Sequence, residues 1–145
     1  MTPARLVVED RLELAELPAK FCHYSDYGDS AAPADLFTAD VVTELVGIGV
    51  YEGIDALVRH ARDTAGWSSG HTWHVVANLW IEPTPEGAAV HYYMLGMVNT
   101  AGGERAGVAH TSGRFVDHAV RTTAGWRIKR RVFRMDAAKT PPDLR

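Results

Sequence analysis

Beyond Gly70 the chain consists almost entirely of β segments with little chain between them: residues 71–82, 87–100 and 106–120, then a last one from Trp126 to Met135. The separators are Pro-Thr-Pro-Glu-Gly, Ala-Gly-Gly-Glu and Thr-Ala-Gly. These are turn sequences, too short to carry the crossover that parallel neighbours require. An antiparallel meander is therefore expected, and a sheet of that size must find a cover for its apolar face.

The cover lies upstream. Residues 5–28 read as a helix in which Val8, Leu12, Ala15, Ala19, Cys22 and Asp26 share one stripe and Leu14, Leu17, Phe21 and Tyr24 share another. Pro18 removes an amide donor inside that helix and predicts a kink or a junction of two helices. Asp-Tyr-Gly-Asp (26–29) ends it, followed by a loop and a short helical turn at 34–37. Residues 41–46 read as a strand, turned by Gly47 and Gly49 into a short return at 50–52. Residues 54–65 then carry Ile54, Leu57, Val58 and Ala61 at amphipathic helical spacing. Helices first and a large sheet afterwards define an α+β domain, here residues 1–136, with a frayed tail at 137–145. A curved sheet closed by helices leaves a pocket suited to a small ligand.

Charge and cysteine content restrict the partners. With 145 residues and a formal net charge of −3, the chain has no long-range attraction for nucleic acid or anionic lipid. Cys22 is the sole cysteine, so no intrachain disulfide framework exists. Residues 1–11 lack the apolar core of a signal peptide, and no apolar run is long enough to span a bilayer. A cytoplasmic setting is expected.

Asp26 stands where helix stability does not want it, because a carboxylate in the last turn meets the negative end of the macrodipole. His74 heads an apolar strand. Period two places it with Thr72, Val76 and Asn78 on one face and puts Trp73, Val75, Ala77 and Leu79 on the other. The two form the candidate acid/base pair. Tyr24 continues the Leu14, Leu17, Phe21 stripe and packs in the core, with a pocket hydrogen bond as a secondary role. His91, His110 and His118 read as surface or interface histidines, and no spacing matches a zinc motif, so no metal is expected. Arg127, Lys129, Arg130, Arg131 and Arg134 alternate with apolar residues and read as a solvated strand face or as partners in interface ion pairs. Cys22 reads as a small buried hydrophobe.

The order of these elements, marked by RLELAELPAKFCHYSDYGD, ADLFTADVVTELVGIGVYEGIDALVRH, SGHTWHVVANLWIE and GRFVDHAVRTTAGWRIKRR, resembles the nuclear transport factor 2-like superfamily and its SnoaL-like branch. That resemblance implies a cone, a strongly curved, mixed but mostly antiparallel sheet wrapped around N-terminal helices to form a deep apolar pocket. At the chemistry the chain is similar to scytalone dehydratase and the bile-acid 7α-dehydratases, whose first-helix aspartate and third-strand histidine match Asp26 and His74. The catalytic tyrosine of the bile-acid enzymes falls on Phe21, leaving Tyr24 as the nearest phenol, and a second histidine of scytalone dehydratase falls on Asn99. The Asp-Arg-Asp set of limonene epoxide hydrolase cannot be placed.

The resemblance implies a cofactor-free dehydratase or isomerase acting on a small apolar ring compound of polyketide or terpenoid/steroid-like type. Asp26 and His74 would be catalytic, and Phe21, Tyr24, Tyr93, Met97 and Asn99 would contact substrate. Tyr93, Met97 and Asn99 are included by assigning the face of His91, Tyr93, Leu95, Met97 and Asn99 to the pocket through the alignment of Asn99. SnoaL-type polyketide cyclisation is one alternative, and a non-catalytic binding or dioxygenase β-subunit-like assembly module is another. The apolar face Val75, Ala77, Leu79 and Ile81 is expected to pair two copies as a homodimer.

Overall fold

The computed structural model describes residues 5–27, 35–68, 72–98 and 109–138. In chain order these form α1 (Val8–Tyr27), β1 (Phe37–Leu45), β2 (Gly49–Glu52), α2 (Ile54–Ser68), β3 (Thr72–Thr84), β4 (Gly87–Val98), β5 (Ala109–Thr122) and β6 (Gly125–Ala138). The six strands make one sheet in the order β2-β1-β6-β5-β4-β3. β3 to β6 are the antiparallel meander, and β1 joins β6 in parallel. The sheet is mixed and mostly antiparallel, as expected, and it remains open, with β2 and β3 at its edges.

Several boundaries differ from the sequence reading, and α1 is not a junction of two helices. Pro18 lies inside one continuous helix, with its ring among the most deeply buried side chains; the burial of Leu14, Leu17 and Pro18 offsets the missing amide bond. A helical turn is present at residues 35–36, as expected, and β1 follows it directly at Phe37, earlier than the expected residue 41, because that ring and Val41 enter the core. β6 continues to Ala138, beyond the expected start of the tail, and 139–145 lie outside the described residues.

α1 is pinned at both ends. Asp10 bonds back to the Val7 amide at 3.0 Å, half of a capping box, and also accepts from Trp126 Nε1 at 3.1 Å and pairs with Arg121. Arg11 reaches the Ile81 carbonyl at 3.3 Å while Asp26 meets His74, so α1 runs antiparallel along β3. The lengths agree: roughly 22 Å of helix from Arg11 to Asp26 against roughly 23 Å of strand from His74 to Ile81. α1 also contacts β6, three places away in the sheet. In a flat sheet those strands would be roughly 14 Å apart, so the sheet must wrap around the helix.

Among the register shifts of the sheet, those in β3 and in the first half of β6 change which side chains face inward. In β3 the register shifts between Ala77 and Trp80 at Asn78, whose φ is 51°. Before it Thr72, His74 and Val76 face α1; after it Leu79 and Ile81 pack on the core and Trp80 faces out. In β6, Ile128 pairs with Ala119 and Arg130 with His118, leaving Lys129 as the extra residue. Lys129 and Arg130 are both exposed, and Arg131 is turned into the core. Leu79 and Ile81 therefore do not belong to the outer apolar face, which carries Trp73, Val75, Ala77, Trp80 and Tyr93.

On α1 the first stripe divides. Cys22 is buried, yet Val8 and Leu12 are 69% and 63% exposed, so the core-facing side belongs to Asp10, Leu14, Leu17, Pro18 and Cys22.

Candidate functional site

The last turn of α1 delivers Asp26 to the first residues of β3. One carboxylate oxygen lies 2.5 Å from His74 Nδ1 and the other accepts the His74 backbone N–H at 3.0 Å. Both side chains are largely shielded, at 18% exposed for His74 and 11% for Asp26. A carboxylate only accepts, so this bond places a proton on Nδ1 and leaves Nε2 of a neutral ring as the basic nitrogen. The unfavourable helix-end position of Asp26 is thus compensated by two donors from β3.

The core also holds a cluster absent from the sequence reading. Arg131 is 1% exposed and Asp117 0%. Arg131 Nε and Nη2 bond the two Asp117 oxygens at 2.7 Å each, and Nη2 also reaches the Tyr92 hydroxyl, which donates to Asp117 at 3.0 Å. The guanidinium carbon sits 4.0 Å over the Phe21 ring and 5.0 Å from those of Phe37 and Phe115. Burial works against the charge on Arg131, but Asp117 and Tyr92 more than offset it and hold its pKa above the ordinary value. Burial raises the Tyr92 phenol well above its usual range, with Arg131 opposing. Cys22, one turn before Asp26, is pushed up to about 12, mainly by burial; nearby Arg131 lowers it while Asp26 and Asp117 raise it. Arg131 is therefore no part of a solvated strand face. The available signal was Asp117 itself, an acid between Phe115 and Ala119 on the inward period of β5, which demands a buried cation.

The remaining expected residues divide. Phe21 lies inside, edge-on to Phe37 at 6.2 Å and beneath Arg131. Tyr24 is packed against the core and borders a groove with Glu13, Lys20, Leu36 and Trp126, on a different side of α1 from Asp26. Tyr93 is 48% exposed on the outer sheet face, and Met97 is paired with outward-facing Trp73, so the expected pocket face of β4 is reversed. Val90, Tyr92 and Met94 point inward instead, because β4 keeps strict alternation across β5 and Tyr92 is held by Asp117. Asn99 lies outside the described residues. A second groove, lined by Asp40, Val42, Glu86, His118 and Lys129, likewise does not take in Asp26 or His74. Among the described residues no group of three or more His, Cys, Asp or Glu is placed to hold a metal ion, and no helix is long and apolar enough to cross a membrane.

The SnoaL-like domain model matches residues 7–132. The chain belongs to the SnoaL-like family. No curated protein matches it. Among solved structures, it is similar to a Nostoc punctiforme protein of unknown function with a cystatin-like fold, with a TM-score of 0.82, 20% identity, and coverage of 96% of this chain and 99% of that one. Aln2 from a Streptomyces species has a TM-score of 0.77 at 25% identity, covering 92% and 95%. A candidate scytalone dehydratase from Novosphingobium aromaticivorans has a TM-score of 0.75 at 20% identity, covering 91% and 87%. The nuclear transport factor 2-like fold is thereby established; these findings do not extend to bile-acid 7α-dehydratases.

Proposed function

We propose that this SnoaL-like chain is a cofactor-free acid/base enzyme, a dehydratase or isomerase of a small apolar ring compound of polyketide or terpenoid/steroid-like type. The observation that carries the reading is the 2.5 Å bond between Asp26 and His74 Nδ1 in a shielded site. Asp26 fixes the tautomer, so that Nε2 accepts a proton from the carbon beside a carbonyl. Asp26 also stabilises the imidazolium that forms. In dehydration the same proton passes to the departing hydroxyl, which leaves as water as the carbon–carbon double bond forms. In isomerisation it returns to another carbon. SnoaL-type cyclisation would use the same base with a different electrophile. A panel of hydroxy-ketones and ring-fused polyketides, assayed with wild type and His74→Ala, tests the reading, and full activity in the variant would overturn it.

A second reading, a binding or assembly module without turnover, is favoured by the exposed aromatic face of Trp73, Trp80 and Tyr93. We take that face as the contact of a homodimer in a cytoplasmic protein.

A further inference from the structure

The outer face of the sheet has two unlike halves. On β3 and β4 it carries Trp73, Val75, Ala77, Trp80 and Tyr93, with Glu82 as the charge beside them. On β5 and β6 it carries Arg114, His118, Arg130 and Arg134 around Val116 and Val132. The ladder aligns these halves in rows of four. Trp80, His91, Val116 and Val132 form one row; Glu82, Ala89, His118 and Arg130 form the next; Ala77, Tyr93, Arg114 and Arg134 form a third. Trp80 is 54% exposed and lies flat on His91, with ring centroids 4.2 Å apart. At the other end of the same rows is the groove of about 610 Å³ whose walls include Val42, His118, Arg130 and Val132. A projecting indole and a groove three strands apart on one face cannot meet within one chain, but they can meet between two.

We propose that a second copy of this chain covers the outer face through a two-fold axis lying in the interface and running along the strands between β4 and β5. Such an axis exchanges the first member of each row with the fourth and the second with the third. Trp80 then enters the partner's groove against the partner's Val132, Tyr93 lies on the partner's Arg114, and Glu82 meets the partner's Arg130. Each contact occurs twice, and in these rows no cation faces a cation. The aromatic half thus receives guanidinium groups, and the basic half receives the only acid of the other. Moving the axis onto β5 would set Arg114 and His118 against the partner's Arg114 and the partner's His118, a like-charge contact, and moving it onto β4 would leave the groove uncovered. Sheets packed face to face keep their strands within about 30° of each other, which an axis along the strands provides. Four strands by nine residues give about 19 Å by about 30 Å, and side-chain relief raises that projection toward the roughly 800 Å² per partner of a stable interface. The pairing rests on the homodimer reading of this face and specifies which parts of it meet.

Charge exchange tests the pairing. Glu82 and Arg130 are both about half exposed, and neither is buried in the core. In Glu82→Arg alone, or Arg130→Glu alone, both copies of the contact become like charges, and the dimer constant read by sedimentation equilibrium should weaken at least tenfold. Mixed one to one, the two variants can form a heterodimer in which both contacts are again opposite in sign, and association should return close to the wild-type value. That recovery requires both chains to be folded, so it also excludes misfolding as the cause of the loss. The double variant, Glu82→Arg with Arg130→Glu, should likewise dimerise by itself. A dimer indifferent to either single change, or variants that stay monomeric when mixed, would overturn this axis while leaving a homodimer in another register. A monomeric wild type at micromolar concentration would remove the homodimer reading together with the axis and give the face to a partner of another kind.

Discussion

Replacing Asp26 by Asn exchanges one oxygen for an NH₂ and reverses one hydrogen bond. In the wild-type chain both carboxylate oxygens accept, one from the His74 backbone N–H at 3.0 Å and one from Nδ1–H at 2.5 Å. A backbone N–H can only donate, so the Asn oxygen must stay with it and the NH₂ group must face Nδ1. The ring then accepts at Nδ1 and carries its proton on Nε2. The imidazole keeps its place, but the nitrogen that would act as base is blocked, and no charge remains to stabilise an imidazolium. The expected loss is about 10² to 10⁴-fold in kcat, equivalent to roughly 3 to 5 kcal/mol of transition-state stabilisation, with KM little changed. The exchange of one charge-assisted bond for a neutral one should lower stability by only about 1 kcal/mol. ¹⁵N imidazole shifts of His74 read the tautomer without any substrate, and rates on the hydroxy-ketone panel read its consequence. An unchanged tautomer, or a tautomer switch at full rate, would refute the reasoning. Equal losses of ligand binding and rate would mark Asp26 as structural.

The buried pair gives a stability prediction: Asp117→Ala strands Arg131 and should cost about 3–5 kcal/mol, lowering Tm by roughly 10 °C or more, whereas Asp117→Leu combined with Arg131→Met should recover most of it; an unchanged Tm in the single variant would contradict the assigned burial. Cys22, with its thiol pushed up to about 12 from an ordinary 9.0, should resist alkylation at pH 8 until the chain unfolds. Because the folded pKa is the higher one, the stability from keeping that thiol neutral is present below about 9.0 and lost as pH rises toward about 12. Cys22→Ala should flatten that part of the stability profile, and an identical alkaline profile would count against it. For the outer sheet face, sedimentation should give a dimer that Trp80→Lys converts to monomer, and a monomeric wild type at micromolar concentration would remove the homodimer.

How far the sequence could be read depends on where the alternation of a strand is broken. Element order, the hairpin at Gly47 and the meander follow from turn chemistry, which is local, whereas the Asp26–His74 approach spans 48 residues and was legible only through the family resemblance. The inward assignments of β3 and β6 are not local. A period-two reading carries Thr72, His74 and Val76 forward to Asn78, but the bulge there hands the inner face to Leu79 and Ile81. The same step at Lys129 moves Arg131 from an apparently solvated row into the core. β4 fails for a different reason: its alternation is regular, but its face was assigned through Asn99, and the parity that places Tyr92 against Asp117 puts Tyr93 outside. A bulge has no strong residue signature, because its driving force is the curvature needed for a sheet to touch one helix with both β3 and β6. The acid in β5 carried the missing information. Asp117 on an inward position next to Phe115 cannot be buried unpaired, and among the basic residues of β6 only one placed opposite it after a one-residue slip, Arg131, could answer it. Buried charge thus reports the register of its neighbours. The one-residue slip at Lys129 is the feature that turns the Arg131 guanidinium into the core to meet Asp117.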